Sequence, residues 1–170
     1  MSLSATEERR RIVIDTIDRY IFRVATPDDV PAIVALWPEH WEEVHYKDRG
    51  IVPDEPRYIA WLTRMITYGG ETFLLAEADG EVVGFFSYGL DHNFSEKPVA
   101  VMDKFFVARK HRRSAIASIL CGLGIDAAAQ DGACAFHAPI TSETAAARGL
   151  ENMLAKHGFT QIGTVMGRAI

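Results

Sequence analysis

The sequence predicts one domain of mixed α/β class, and three features of it carry that expectation. Segments of strand period and helix period follow one another as β, α, α, β, β, β, α, β, α, β. Asp79-Gly80 sits between two β-rich runs, the strongest short-range signal for a hairpin. The stretch "FFVARKHRRSAIASIL" (Phe105 to Leu120) runs an apolar strand through four basic residues and a histidine into a helical pattern. A length of 170 residues with 48% hydrophobic side chains suits a single core.

Each element has a local reason. Residues 5–18 alternate charge with Ile12, Val13, Ile14 and Ile17, which fits a short amphipathic helix or an ordered arm, so residues 1–19 are set apart from a domain of residues 20–170. "YIFRVA" reads as a first strand. "TPDDV" then offers Thr26 as N-cap, Pro27 at the first helical position and two acids toward the helix dipole. That helix runs through Ile33, Val34 and Leu36 toward Pro38, and the polar, aromatic connection "EHWEEVHYKDRG" has room for another turn. "DEPRYIAWLTRMITY" repeats apolar residues at Ile59, Leu62, Met65 and Ile66 and should stop at Gly69-Gly70.

Beyond the hairpin "TFLLAEADGEVVGFFSYGL", the polar loop "DHNFSEK" leads to a third apolar run, "PVAVMDKFFV", and an antiparallel meander is the simplest arrangement. Ile116, Leu120, Leu123 and Ala127 advance by helical steps until Asp131-Gly132. "ACAFHAPI" is a buried strand, "TSETAAARGLENMLAKHG" a helix capped by Thr141 or Ser142 and ended by Gly158, and "FTQIGTVMGRAI" a closing strand.

Composition narrows the function classes. The chain has 18 basic and 23 acidic side chains, a formal charge of -5, which argues against nucleic acid or an anionic membrane as partner. No apolar run approaches a membrane span and the amino terminus is charged, so the cytoplasm is the expected location. Cys121 and Cys134 lack metal or redox spacing and read as reduced thiols. His40 and His45 are not at the i, i+4 spacing of a zinc helix, and no metal is expected. "GLGIDA" (Gly122 to Ala127) matches a relaxed dinucleotide fingerprint but lies inside a helical pattern, where close packing explains its glycines. His137 reads as a core histidine, and Trp37, Trp41 and Trp61 as core or cleft wall.

The basic cluster is the exception to an acidic chain. A strand, a turn and a helix with unpaired first-turn amides form an anion site, to which Arg112 and Arg113 would add charge-assisted hydrogen bonds. The small residues Ser114, Ala115 and Ala117 leave room for a phosphate near the backbone; a solvated basic loop is the alternative.

This turn, in this element order, resembles that of the GNAT superfamily of acyl-CoA-dependent N-acyltransferases, over about residues 20 to 168. The family motif R/Q-x-x-G-x-G/A corresponds to Arg112-Arg113-Ser114-Ala115-Ile116-Ala117, with Ala115 replacing the first glycine, and "HGF" (His157 to Phe159) matches the junction before the last strand. The resemblance implies a mixed, mostly antiparallel sheet of roughly six to seven strands with a splayed central cleft and about four flanking helices. It implies acetyl-CoA held at the Arg112 to Ala117 turn, its pantetheine arm paired with main-chain groups of Phe105, Phe106 and Val107. The partner would be a small-molecule or peptide amine attacking the thioester directly, and the resemblance leaves room for a homodimer.

Direct attack needs a proton acceptor and a donor at the leaving thiolate. Asp103, in the strand leading to the turn, is the candidate base: strict alternation puts it on one face with Phe105 and Val107, where desolvation would raise its pKa. Otherwise it is a strand-edge acid paired with Lys104 or Arg109. The family's usual tyrosine acid corresponds to Leu154, which leaves Ser142, Thr144, Asn152 or a water. Glu39, Glu42, Glu43, Asp91 and Glu96 would favour a cationic acceptor. A non-catalytic acyl-CoA-binding module is the rival, given Ala115 and Leu154, whereas a hydrolase lacks any G-x-S-x-G setting.

Overall fold

The computed structural model describes residues 15–163 apart from 18, 45, 94, 113 and 141–143. The arm expected over residues 5–18 lies mostly outside that range; residues 15–17, within it, form strand β1 (Asp15–Ile17), paired antiparallel with β2 (Tyr20–Val24). Thr26 then starts a capping box with Asp29, and two short helices follow, α1 (Val30–Ala35) and α2 (Trp37–Glu43). Helix α2 carries the chain beyond the expected stop because Pro38 falls in its first turn, where a missing N–H costs nothing. Helix α3 (Glu55–Tyr68) begins with Asp54 Oδ1 accepting from Arg57 N at 3.0 Å and ends at Gly69 in the left-handed region, φ 71°.

Strands β3 (Thr72–Ala78) and β4 (Glu81–Asp91) are joined through Asp79 and Gly80, both at positive φ, as the Asp-Gly signal requires. The meander continues into β5 (Val99–Val107); helix α4 (Ile116–Gln130) crosses over to β6 (Ala135–His137), and helix α5 (Ala145–Lys156) follows, capped by Thr144, not by Thr141 or Ser142. The six strands lie in sequence order, all antiparallel except β5 with β6. Residues 159–163 are not strand: Phe159 N turns back to Leu154 O at 3.1 Å and its ring meets Phe136 edge-on, so the chain stays on the end of α5. The rest of the expected closing strand lies outside the described residues.

Alternation along the strands builds two cores. Leu74, Ala76, Phe86, Tyr88, Ala100 and Met102 pack with Ile116, Leu120 and Ala127 of α4; Phe73, Leu75, Phe85 and Phe106 pack with Val30, Ile33 and Leu62 of α1 and α3. Within β5 this alternation breaks once. The register shifts from Phe86↔Phe105 to Tyr88↔Met102, so Asp103 and Lys104 together oppose Ser87, whose Oγ accepts from Lys104 N at 3.1 Å. Before this bulge the even residues Ala100 and Met102 face α4; after it the odd residues Phe105 and Val107 do. The expectation that Asp103 shares a face with Phe105 and Val107 therefore fails.

Candidate functional site

The β5–β6 ladder has three rungs, Val99↔Ala135, Ala100↔Phe136 and Val101↔His137. Past Val101 the strands part, and from Met102 to Val107 that edge of β5 has no strand partner among the described residues. The side chains of Phe106 and Val107 are buried and that of Phe105 half-buried, so the edge offers backbone N–H and C=O groups to an extended guest. This is the splayed cleft that the family resemblance implied.

The open edge leads into the basic turn. Ala108 N bonds Val83 O at 2.9 Å, a short 3₁₀ turn spans Arg109–His111, and Ser114 Oγ donates to His111 O at 2.6 Å. The first backbone bond of α4 is Ile119 N to Ala115 O at 3.0 Å, and the amides of Ile116, Ala117 and Ser118 have no carbonyl partner among the described residues. Ile116 N makes only a long contact of 3.4 Å to Ser114 Oγ. Ser114 and Ala115 are exposed, Ala117 half-buried and Ile116 a core anchor. Ala115 has φ -76° and ψ -4°, right-handed values at which alanine replaces the motif glycine without strain. These residues fit an anionic phosphate group.

The arginines are less available than the sequence implied. Arg113 lies outside the described residues. Arg112 donates from Nε to Val107 O at 2.6 Å and grips Glu43 with both terminal nitrogens, Nη2 to Oε2 being 2.7 Å, while its guanidinium lies 5.2 Å from the Phe106 ring centre. Arg109 donates its backbone N to Glu39 at 2.7 Å and its Nη2 to Glu42 at 2.9 Å. The acids of α2, expected to select a cationic acceptor, instead tie that helix to the turn. Asp91 bonds Asn93 and Glu96 is exposed.

At the bulge, Asp103 is 39% exposed at its side chain and bridged to Lys104 Nζ at 2.6 Å. That is the ion-paired alternative; the apolar enclosure expected around it is absent. Lys104 Nζ also stands 5.1 Å from the centre of the Trp61 ring. Burial, reinforced by the charge of Asp103 and opposed by a Ser87 hydrogen bond and Lys104, pushes the neighbouring Glu71 carboxyl up to about 7. Glu71 Oε2 and Tyr58 OH are buried without hydrogen-bond partners, and burial followed by the charges of Asp103 and Glu71 holds the Tyr58 phenol well above its ordinary value. His40 lies against Phe85 and Phe106, and burial together with nearby Lys104 pushes it down to about 4. Sequence periodicity singles out neither Glu71 nor Tyr58; the only local signal is an acid directly after Gly69-Gly70 at a strand entry.

A cleft of about 850 Å³ opens beside α2, lined by Trp37, Pro38, Glu39, Trp41, Glu42, Asp48, Pro53 and Glu55. An aromatic row leads inward from it: Trp41 meets Trp37 edge-on at 5.2 Å, Trp37 stacks on Tyr58 at 4.4 Å, and Tyr58 lies over Trp61 at 5.8 Å. Trp61 ends the row under Lys104 at the bulge.

Other candidates fall away from this region. Leu154 is a core residue, 4% exposed. Ser142 lies outside the described residues, Asn152 is exposed, and Thr144 caps α5. His137 is exposed at the end of β6, contrary to the core position expected of it. Gly124 of "GLGIDA" lies against the Phe86 ring, as close helix packing demands. Cys121 is buried, its thiol pushed up to about 11, and Cys134 is exposed; neither is in a disulfide. No cluster of metal-ligating side chains is present among the described residues, nor any helix long and apolar enough to cross a membrane.

No curated protein sequence matches the chain. Among solved structures it resembles an aminoglycoside 6'-N-acetyltransferase from Acinetobacter baumannii, at 19% identity and TM-score 0.67 over 88% of this chain and 96% of that one. It resembles a ribosomal-protein-alanine N-acetyltransferase from Brucella melitensis at 16% identity and TM-score 0.68, over 88% of this chain and 98% of that one. A predicted acetyltransferase from Clostridium acetobutylicum, solved with acetyl-CoA, gives 12% identity and TM-score 0.67 over 88% and 95% of the two chains. At such identities these likenesses establish the fold. The profile of one family matches residues 32–159, well over half of the chain, which therefore belongs to the acetyltransferase (GNAT) family.

Proposed function

We propose that the protein transfers an acetyl group from acetyl-CoA to a cationic primary amine, on a small molecule or a peptide, by direct attack within a ternary complex. The observation that carries this reading is the open edge of β5 from Met102 to Val107, running from the α4 turn to the bulge. Main-chain groups of Phe105, Phe106 and Val107 would hold the pantetheine arm. Amides of the first α4 turn, Ile116, Ala117 and Ser118, would hold the pyrophosphate at the positive end of the helix dipole, with the small residues Ser114 and Ala115 giving it room and Arg112 adding charge. When bound, acetyl-CoA supplies an activated thioester, so no protein nucleophile is needed. The cleft beside α2 fits a cation: the aromatic side chains of Trp37 and Trp41 line it together with the carboxylate of Glu55, which does not share in the ion pairs between α2 and the turn.

Calorimetry with acetyl-CoA and CoA, followed by thiol release and product mass across a panel of amines, tests this. Binding and N-acetylation of cationic amines are expected, and Glu55→Gln should raise KM for the amine while leaving that for acetyl-CoA unchanged. Absence of any heat or thermal shift at millimolar CoA would overturn the assignment. Burial of Leu154 at the usual tyrosine position favours one rival, an acyl-CoA-binding module without turnover, which binding with no product from any amine would establish.

A further inference from the structure

We infer that Glu71, and not Asp103, is the base that takes the proton from the acceptor amine, a role that rests on the acetyl-transfer reading above. Glu71 immediately precedes β3, in step with Phe73 and Leu75 of the face covered by α1 and α3, and its side chain lies over β4: a Cβ placed on Gly89 would stand 3.6 Å from Glu71 Cγ. The Ser87 hydroxyl, which accepts the Lys104 N–H at the β5 bulge, is the neighbour that favours the charged form of Glu71. Glu71 Oε2 has no donor among the described residues. Leaving a buried carboxylate oxygen unpaired costs stability, and such an atom is suited to a group that arrives bearing a proton. An extended guest laid along the open β5 edge from Val107 travels about 13 Å by the time it reaches Asp103. Its far end is then at the bulge, across which lie Ser87 of β4 and the Glu71 carboxyl over Gly89, and where the aromatic row from the α2 cleft also ends.

The groups facing Glu71 are Asp103 and Lys104 from β5, Ser87 from β4 and Tyr58 from α3. Burial and the Asp103 charge hold its proton affinity near neutrality, so the carboxylate both accepts a proton and returns it to water at working pH. Asp103, exposed and bridged to Lys104, acts on Glu71 through its charge. The chemistry balances. An ammonium gives one proton to Glu71 and becomes a nucleophilic amine. Its nitrogen bonds the acetyl carbon as the carbon–sulfur bond breaks, and the second nitrogen proton ends on the departing sulfur. Glu71 then releases its proton to solvent.

The test compares pH–rate profiles of the wild type, Glu71→Gln, Glu71→Asp and Asp103→Asn, with CoA affinity measured for each. The base works deprotonated, so wild-type turnover should rise with pH through a limb near 7. Glu71→Gln should lose the limb and about 10²-fold or more in kcat, with CoA affinity unchanged. Glu71→Asp should keep a limb at reduced kcat, and Asp103→Asn should move the limb to lower pH while retaining turnover. Carboxyl NMR of the wild type, independent of activity, should show Glu71 titrating near 7. A folded Glu71→Gln variant with normal kcat and an unchanged limb overturns the inference, as does a limb lost only in Asp103→Asn. A wild type that binds CoA but acetylates no amine is a different failure, that of the acetyl-transfer reading itself.

Discussion

Replacing Gly124 with alanine should weaken the protein even though alanine is the better helix former, and the two effects can be weighed from the geometry. A Cβ at Gly124 would lie 2.3, 2.7 and 2.9 Å from Cε1, Cδ1 and Cζ of Phe86, against 3.4–4 Å for ordinary contact, a shortfall of about 1 Å. The ring has nowhere to go: Phe86 is 1% exposed and bounded by Phe105 at 5.6 Å and Phe136 at 5.9 Å. Overpacking of that kind costs ~1–3 kcal/mol, and the gain in helix propensity returns only ~0.5–1. A net loss of about 1–2 kcal/mol is expected. Gly122, two residues earlier in the same helix, is the control. Its added Cβ would sit 3.5 Å from His157 Cε1, an ordinary contact, so Gly122→Ala should stabilise by ~0.5–1 kcal/mol. Urea unfolding of both variants reads the difference. Gly124 is about 12 Å along α4 from Ile116, so lifting the helix off β4 should also displace the first-turn amides and weaken CoA binding. A Gly124→Ala protein as stable as the wild type, with undiminished CoA affinity, would refute the reasoning.

Two further outcomes follow from the charges. His40 is neutral in the fold, with its pKa near 4, whereas the unfolded chain takes up a proton below about 6.5. The stability it contributes is therefore full above pH 6.5 and lost as pH falls toward 4, at no more than ~1.4 kcal/mol per pH unit; urea unfolding across that window should show a flatter dependence for His40→Gln. Arg112 and Glu43 are 30% and 18% exposed, between surface pairs worth ~0–1 kcal/mol and buried pairs that cost 3–5 to break, so a double-mutant cycle should return a coupling of about 1–2 kcal/mol. Glu43→Gln alone should tighten CoA binding by releasing the guanidinium, which calorimetry checks.

Local chemistry made much of this architecture readable. The Asp79-Gly80 hairpin, the Thr26 cap and the stop at Gly69 each depend on neighbours within a few residues, and each is found where the sequence puts it. What depends on distant partners was not readable. The bulge at Asp103 and Lys104 exists because Ser87, on another strand, accepts the Lys104 N–H, and no periodicity within β5 announces it. The depth of Glu71 depends on the strands and helix around it. Glu39, Glu42 and Glu43 looked like acceptor-binding acids because nothing in their own segment reveals that Arg109 and Arg112 reach them from some 70 residues away.

The bulge also separates two demands that usually compete at a reaction centre. Met102 and Phe106 are locked in the cores on opposite faces of the sheet, but Asp103 and Lys104 between them belong to neither core. Replacing the exposed charge of Asp103 would empty no cavity and unpack no helix. The strand can therefore change its chemistry at that point by single substitutions while the sheet keeps its stability, so that specificity and reactivity are free to drift at nearly constant fold.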